Sequence, residues 1–186
     1  MAGSKSVEEL EKLVEELSGR VAALEQSQPE DRLTSGLLSG DLDKTMAAFI
    51  IALGARAFDI EVDIFATFWG TTAFRDPKKR VEKRGMDRMF DTMLPAGAGQ
   101  LPLSRMNMAG MGPRMIRKAM AQHGAKSLEE LLREAGEAGV RIHICTMTMD
   151  LMGLKPEEMI DYPHLDYVGV GQFIDFANRS RQCWFF

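Results

Sequence analysis

Residues 32–69 restrict the fold more than any other part of the chain. "RLTSGLLSG" is a short strand-like run closed by Gly40. "DLDKTMAAFIIALGARAF" then carries the pattern of an amphipathic-to-buried helix with Asp41 and Asp43 at its positive end, and "EVDIFATFW" returns to strand composition. Strand, helix and strand in so short a span point to a right-handed parallel crossover. Parallel strands need both faces covered, so this one unit commits the chain to a layered α/β architecture.

The second half repeats the alternation. "KSLEELLREAGEAG" opens with Ser127 and Glu130 in a capping-box relation and closes at Gly139, after which "VRIHIC" reads as a strand. "KPEEMI" has Pro156 suited to a first helical turn, "LDYVGVG" reads as a strand, "QFIDFANRS" as a helix and "QCWFF" as a terminal strand. The expected fold is a three-layer α/β/α sandwich with a mainly parallel sheet. Residues 76–124 interrupt it with a connection too long for an ordinary loop and without clear strands, the kind of segment that forms lids or oligomer contacts.

Ahead of the sandwich, Val7, Leu10, Val14, Leu17, Val21 and Leu24 recur at spacings of three and four on a helix expected over residues 6–26. Valine falls at a and leucine at d of a coiled-coil-like array, a pattern that favours two parallel strands. The array is under three heptads, so it either pairs with a copy of itself or lies against the main domain. "QSQPEDR" reads as a linker, which divides the chain into an N-terminal helix over residues 1–28 and an α/β domain over 29–186.

Bulk properties exclude several functions. A net charge of -4 and basic residues that are spread, with the longest cluster at 78–80, give no nucleic-acid footprint. The longest apolar run, at 46–55, is about half the roughly 20 residues of a membrane span, and acids occupy the N-terminus where a signal peptide needs an apolar core. Cys145 and Cys183, with histidines scattered at 123, 143 and 164, offer neither zinc-ligand spacing nor a disulfide framework. A reducing cytoplasm is the expected compartment, with no metal and no cofactor.

Ligands of open parallel sheets gather outside the carboxyl ends of the strands, which selects residues 39–41, 67–70 and 145–148. Cys145 ends a strand and adjoins a helix start, where free backbone N–H groups stabilise a thiolate; it is the best nucleophile in the chain. Candidates for lining a substrate are Gly40, Asp41, Thr67, Phe68, Trp69, Met106, Asn107, Met108, Thr146 and Met147. Gly40 and Asp41 equally suit a turn and a helix cap, and "LLSGDLDK" lacks the glycine pattern of a phosphate loop. His143 shares a strand face with Cys145, and we read it as packed or solvated rather than as a base. The 14 methionines serve as flexible core filling or as an apolar wall around a reactive sulfur, whereas a copper site lacks its companion ligands.

Four blocks in order, "SGDLDKTMAAFIIALGA", "FATFWG", "LPLSRMNMAGMGPRM" and "CTMTMDLMG", together resemble the DsrE/DsrF-like sulfur-relay family, in particular its peroxiredoxin-labelled, methionine-rich branch. The likeness runs from about Leu33 to the C-terminus. It implies an α/β/α fold, homo-oligomeric assembly, and a cysteine, here Cys145, that carries sulfane sulfur as a persulfide. It also implies a carrier or sulfurtransferase that works with rhodanese-like and small sulfur-carrier proteins. Two other readings stay open: a non-catalytic module of the same fold that binds a small ligand or a protein, and a thiol peroxidase that would need Cys183 as its resolving thiol. Cys183 matches no motif and is expected to be buried in the terminal strand.

Overall fold

A computed structural model describes residues 6–26 and 28–186. The chain divides into two compact units, residues 1–30 and 31–186. The first contains helix α1 (Val7–Gln26).

From the boundary between the units onward the chain runs β1 (Glu30–Leu37), α2 (Leu42–Arg56), β2 (Glu61–Ala66), α3 (Gly85–Met93), α4 (Met111–Gln122), α5 (Leu128–Glu137), β3 (Arg141–Cys145), α6 (Thr146–Met152), β4 (Leu165–Val168), α7 (Val170–Arg179) and β5 (Ser180–Phe185). The five strands form one parallel sheet in the order β4-β3-β2-β1-β5. At the β1–β5 seam the Phe186 N–H donates to the Gly36 carbonyl, while the Phe186 carbonyl accepts from Leu38 N. The α/β sandwich expected from the sequence is therefore present, as is the N-terminal helix.

Handedness explains where the helices lie. The chain steps from β1 to β2, β3 and β4 in one direction and then returns past β1 to β5. Right-handed crossovers made in opposite directions must run over opposite faces of the sheet. On the first face Leu33, Leu37, Val62, Ile64, Ile142 and Ile144 meet Leu42, Ala48, Phe49 and Ala52 of α2, Leu128, Leu131 and Leu132 of α5, and Met149 and Met152 of α6 in a single apolar core. Phe49 and Phe74 pack edge to face in it, with ring centroids 6.1 Å apart. The second face is crossed by α7, whose Phe173 stacks on Phe65 of β2.

Local chemistry sets the ends of these elements. The Ser127 side chain accepts from Glu130 N and the Glu130 carboxylate from Ser127 N, the reciprocal cap expected for α5. Asp41 occupies the N-cap of α2 but makes no capping bond; its carboxylate accepts from the Ser39 hydroxyl at 2.6 Å instead. "EVDIFATFW" is strand only as far as Ala66, because Phe68 takes a left-handed conformation (φ 46°) and Phe68–Phe74 coils into a 3-10 helix.

The long insertion contains helices and is fastened to the sandwich by several contacts, two of them polar clusters. Arg75 and Lys83 both bond to the buried Glu158 carboxylate and to Asp91. Further along, Pro102 O accepts from Leu42 N at 2.7 Å and the Ser104 hydroxyl donates to Asp43 at 2.5 Å. The segment after α3 thus passes the carboxyl end of β1, the edge at which Cys145 also lies.

Candidate functional site

Cys145 is the last residue of β3 and the N-cap of α6, a junction with no intervening loop. Burial raises the pKa of its thiol, but neighbouring hydrogen-bonding groups outweigh that effect and hold it below its ordinary value. They are the backbone N–H of Thr148, the hydroxyls of Thr67 and Thr148, and the backbone N–H of Met147. The two threonine hydroxyls share a hydrogen bond at 2.8 Å, so with one proton each only one of them donates to the sulfur at a time, and Phe68 N–H donates to Thr148 Oγ1 at 3.0 Å. The turn after β2 is therefore tied to the first turn of α6 through the same hydroxyl that reaches the sulfur.

The thiol is not at an open mouth of the sheet. Cys145 is 2% exposed and packs in a cluster with Phe65 and Phe173, with Val168 against it. Phe173 comes from α7, stacks on Phe65 at 4.9 Å and meets Phe185 edge-on at 5.8 Å. The position at the strand end is as expected; the cover is a consequence of the reversed crossover through α7.

The other candidates separate into three groups. Thr67 reaches the sulfur, and Thr146 and Met147 form the first turn of α6 beside it, with the Thr146 hydroxyl donating to Val168 O at 3.4 Å. Phe68 and Trp69 lie half-exposed just beyond Thr67. Gly40 and Asp41 line a separate cleft of about 250 Å³ with Ser39, Trp69, Thr72 and the two prolines 95 and 102. A Cβ on Gly40 would come within 2.7 Å of Trp69 O, and one on Gly70 within 2.3 Å of Leu37 O, so the two loops touch backbone to backbone. Met106, Asn107 and Met108 are exposed on the insertion, in a turn where Met106 and Met108 have positive φ, and they are not part of the cluster around Cys145.

At the other end of the same sheet face lies a charge cluster that the sequence reading missed. Asp63 is fully buried and accepts from His143 Nε2 at 2.8 Å, Arg141 Nε at 2.7 Å, Arg32 Nη1 at 2.6 Å and Arg141 Nη2 at 3.2 Å. Glu61 accepts from both arginines, and Asp166 accepts from His143 Nδ1 at 2.5 Å. Each ring nitrogen of His143 faces a carboxylate, an arrangement that favours the doubly protonated imidazolium. Burial works against that charge, yet the bonds from Asp63 and Asp166 raise the His143 pKa above its ordinary value. Burial likewise opposes ionisation of Asp63, and the donors from His143 and Arg141 hold it far below the usual carboxylate range. The available signal was polar residues at period two, Asp63 in "EVDIFA" and Arg141 and His143 in "RIHIC", within strands otherwise apolar.

Cys183 is exposed on the edge strand β5, not buried as expected, and partial desolvation pushes its thiol up. Strands β1 and β2 separate β5 from β3, a lateral distance of about 14 Å at about 4.8 Å per strand. Disulfide geometry needs Cα atoms within about 7 Å. Cys183 therefore cannot resolve an oxidised Cys145 within one chain of this structure.

Fold and site together define a parallel α/β protein with a thiol poised at a strand-to-helix junction. A model of the DsrE/DsrF/DrsH-like family matches residues 30–185, and the chain belongs to that family. Among its relatives is an uncharacterized protein of Bacillus subtilis, YrkE, 49% identical over 150 residues that cover 80% of this chain and 92% of that protein. Another is the sulfur carrier protein DsrE2 of Allochromatium vinosum, 34% identical over 149 residues, 77% of this chain and 91% of that one. No helix among the described residues is long and apolar enough to cross a membrane.

Proposed function

We propose that this protein is a sulfur carrier in which Cys145 takes up sulfane sulfur and yields it to an acceptor thiol. The thiolate attacks the outer sulfur of a donor persulfide, a new S–S bond forms on Cys145, and the donor leaves as its thiolate. The acceptor thiolate then attacks the outer sulfur on Cys145 and restores the starting thiolate, so neither step has a net redox change. The observation that carries this reading is the place of Cys145 as the last residue of β3 and the N-cap of α6, where neighbouring N–H and hydroxyl groups lower the thiol's pKa against the effect of burial. Family membership and the sulfur carrier among the relatives support it.

In this reading α7 is the cover that a partner must displace. Phe173 is its only buried residue, so the helix is held over the thiol by a small contact. Half-exposed Phe68 and Trp69, with exposed Met147 and Leu151, offer an apolar landing surface beside it. Rhodanese-like and small sulfur-carrier proteins are the partners of that chemistry, and a cytoplasmic homo-oligomer is the setting.

Incubation with glutathione persulfide or polysulfide is expected to add one sulfur, seen as a mass increase of the intact protein, and Cys145→Ser is expected to lose it. Equal uptake by the variant overturns the proposal. The burial of Cys145 favours a second reading, a module of the same fold that binds a ligand or protein without chemistry at the thiol. A Cys145 that resists alkylation in the native protein, even with a large excess of reagent, would select that second reading.

A further inference from the structure

The sulfur chemistry makes no use of α1, which also lies ahead of the stretch that matches the family. All six residues of its apolar stripe, Val7, Leu10, Val14, Leu17, Val21 and Leu24, are between 50% and 72% exposed. A helix of 20 residues with its apolar stripe this exposed is marginal in water, because nucleation is costly and propagation returns little per residue. We propose that the stripe is covered by α1 of a second copy of this chain, in a parallel, in-register, two-stranded coiled coil.

Charge at the flanking positions selects this partner and this direction. Valine at each a position with leucine at each d position favours two parallel strands. The same heptad frame puts Glu11, Ser18 and Glu25 at e and Ser6, Leu13 and Arg20 at g. In a parallel pair each g residue faces the e residue five positions further along the other helix. Arg20 then meets Glu25 of the partner subunit, and the remaining flanking pairs, Ser6 with Glu11 and Leu13 with Ser18, set no like charges together. An antiparallel pairing of the same stripe sets e against e, so that Glu11 opposes Glu25 at both ends and Arg20 faces only serine. Opposite charges at e and g set coiled-coil orientation in this way.

The pairing has a further effect on the domains. A parallel coil brings both α1 C-termini to one end, and residues 27–29, which span at most about 10 Å, lead from there into each β1. Two α/β domains tethered so closely meet at high effective concentration, so even a weak contact between them persists.

The test uses the full chain in a Cys183→Ser background, with that background alone as control. Val21→Cys and Leu10→Cys, each made separately, are expected to form disulfide-linked dimers under mild oxidation, because only a parallel, in-register coil puts each new cysteine beside its own copy. Dimers that form only when the two variants are mixed would mean antiparallel pairing and overturn the proposal. Sedimentation is expected to show a wild-type dimer or larger assembly. Arg20→Glu should weaken its association several-fold, and adding Glu25→Arg should restore it. A wild-type monomer at 100 μM (roughly ten-fold above the micromolar range of modest association) would overturn the proposal. So would unchanged cross-linking of Val21→Cys after Leu17→Asp, since it would locate the contact elsewhere. Leu17→Asp leaves Cys145 untouched, so its sulfur uptake tests the carrier reading separately.

Discussion

One face of the sheet carries two buried polar sites that share strands β2, β3 and β4 and the same covering helix, yet they are built on opposite principles. At one end Arg32, Arg141 and His143 meet Glu61, Asp63 and Asp166, three cations against three carboxylates, with Phe176 of α7 laid on the His143 ring at 4.6 Å. At the other end Cys145 has only neutral donors, with Phe173 of α7 closing the cluster. His143 and Cys145 are two residues apart on one strand, so the difference lies in their partners. Charges that neutralise one another are held in place. The thiol of Cys145 has its pKa lowered by dipoles alone, with no counter-charge beside it.

That contrast predicts that the two ends fail differently. The largest effect is expected at Asp63→Ala, which leaves Arg141 and His143 without their shared carboxylate and costs about 3–5 kcal/mol, the range for breaking a buried ion pair. Denaturant unfolding measures it, and a loss under about 1 kcal/mol would mean that the cluster behaves as a surface one. Next comes Phe173→Ala, expected to lower stability by about 3 kcal/mol and to raise the rate of Cys145 alkylation about ten-fold or more, a factor equivalent to about 1.4 kcal/mol of easier opening. An unchanged rate would show that α7 does not gate the thiol. Thr148→Val removes one hydroxyl from the sulfur and should cost about 1 kcal/mol of thiolate stabilisation. Its alkylation pH profile should therefore shift upward, with little effect at the charged end.

The smallest effect should be a pH dependence centred on His143. Its folded pKa lies above its ordinary value near 6.5. The stability it contributes is complete below that value and is lost as pH rises through the raised folded value. The stability gap between wild type and His143→Gln should therefore be widest near pH 6 and narrow in alkaline buffer, as urea unfolding at several pH values would show. A gap that widens with rising pH would contradict the paired imidazolium.

Much of the fold was legible because its signals are local. The capping box at Ser127, the strand in "RIHIC" and the helix start after Cys145 depend on residues within a few positions of one another. What could not be read was the order of the strands. Nothing in "QFIDFANRS" or "QCWFF" says that the last crossover doubles back past β1, and that return is what buries Cys145 and makes β5 an exposed edge. The apolar letters of "QCWFF" suggested an interior strand, but an edge strand has a neighbour on one side only. Asp63 looked like a polar interruption in strand β2 because its partners Arg32, Arg141 and His143 come from β1 and β3.

The backbone contact between Gly40 and Trp69, matched by that between Gly70 and Leu37, has a mechanical consequence. Two loops separated by no more than main-chain thickness form a hard stop, and Thr67 stands directly on it. In the carrier we propose, the exposed side chains of the same turn, Phe68 and Trp69, can change to suit a different visitor while the Thr67 hydroxyl keeps its aim. On that proposal, recognition and reactivity are uncoupled within three consecutive residues.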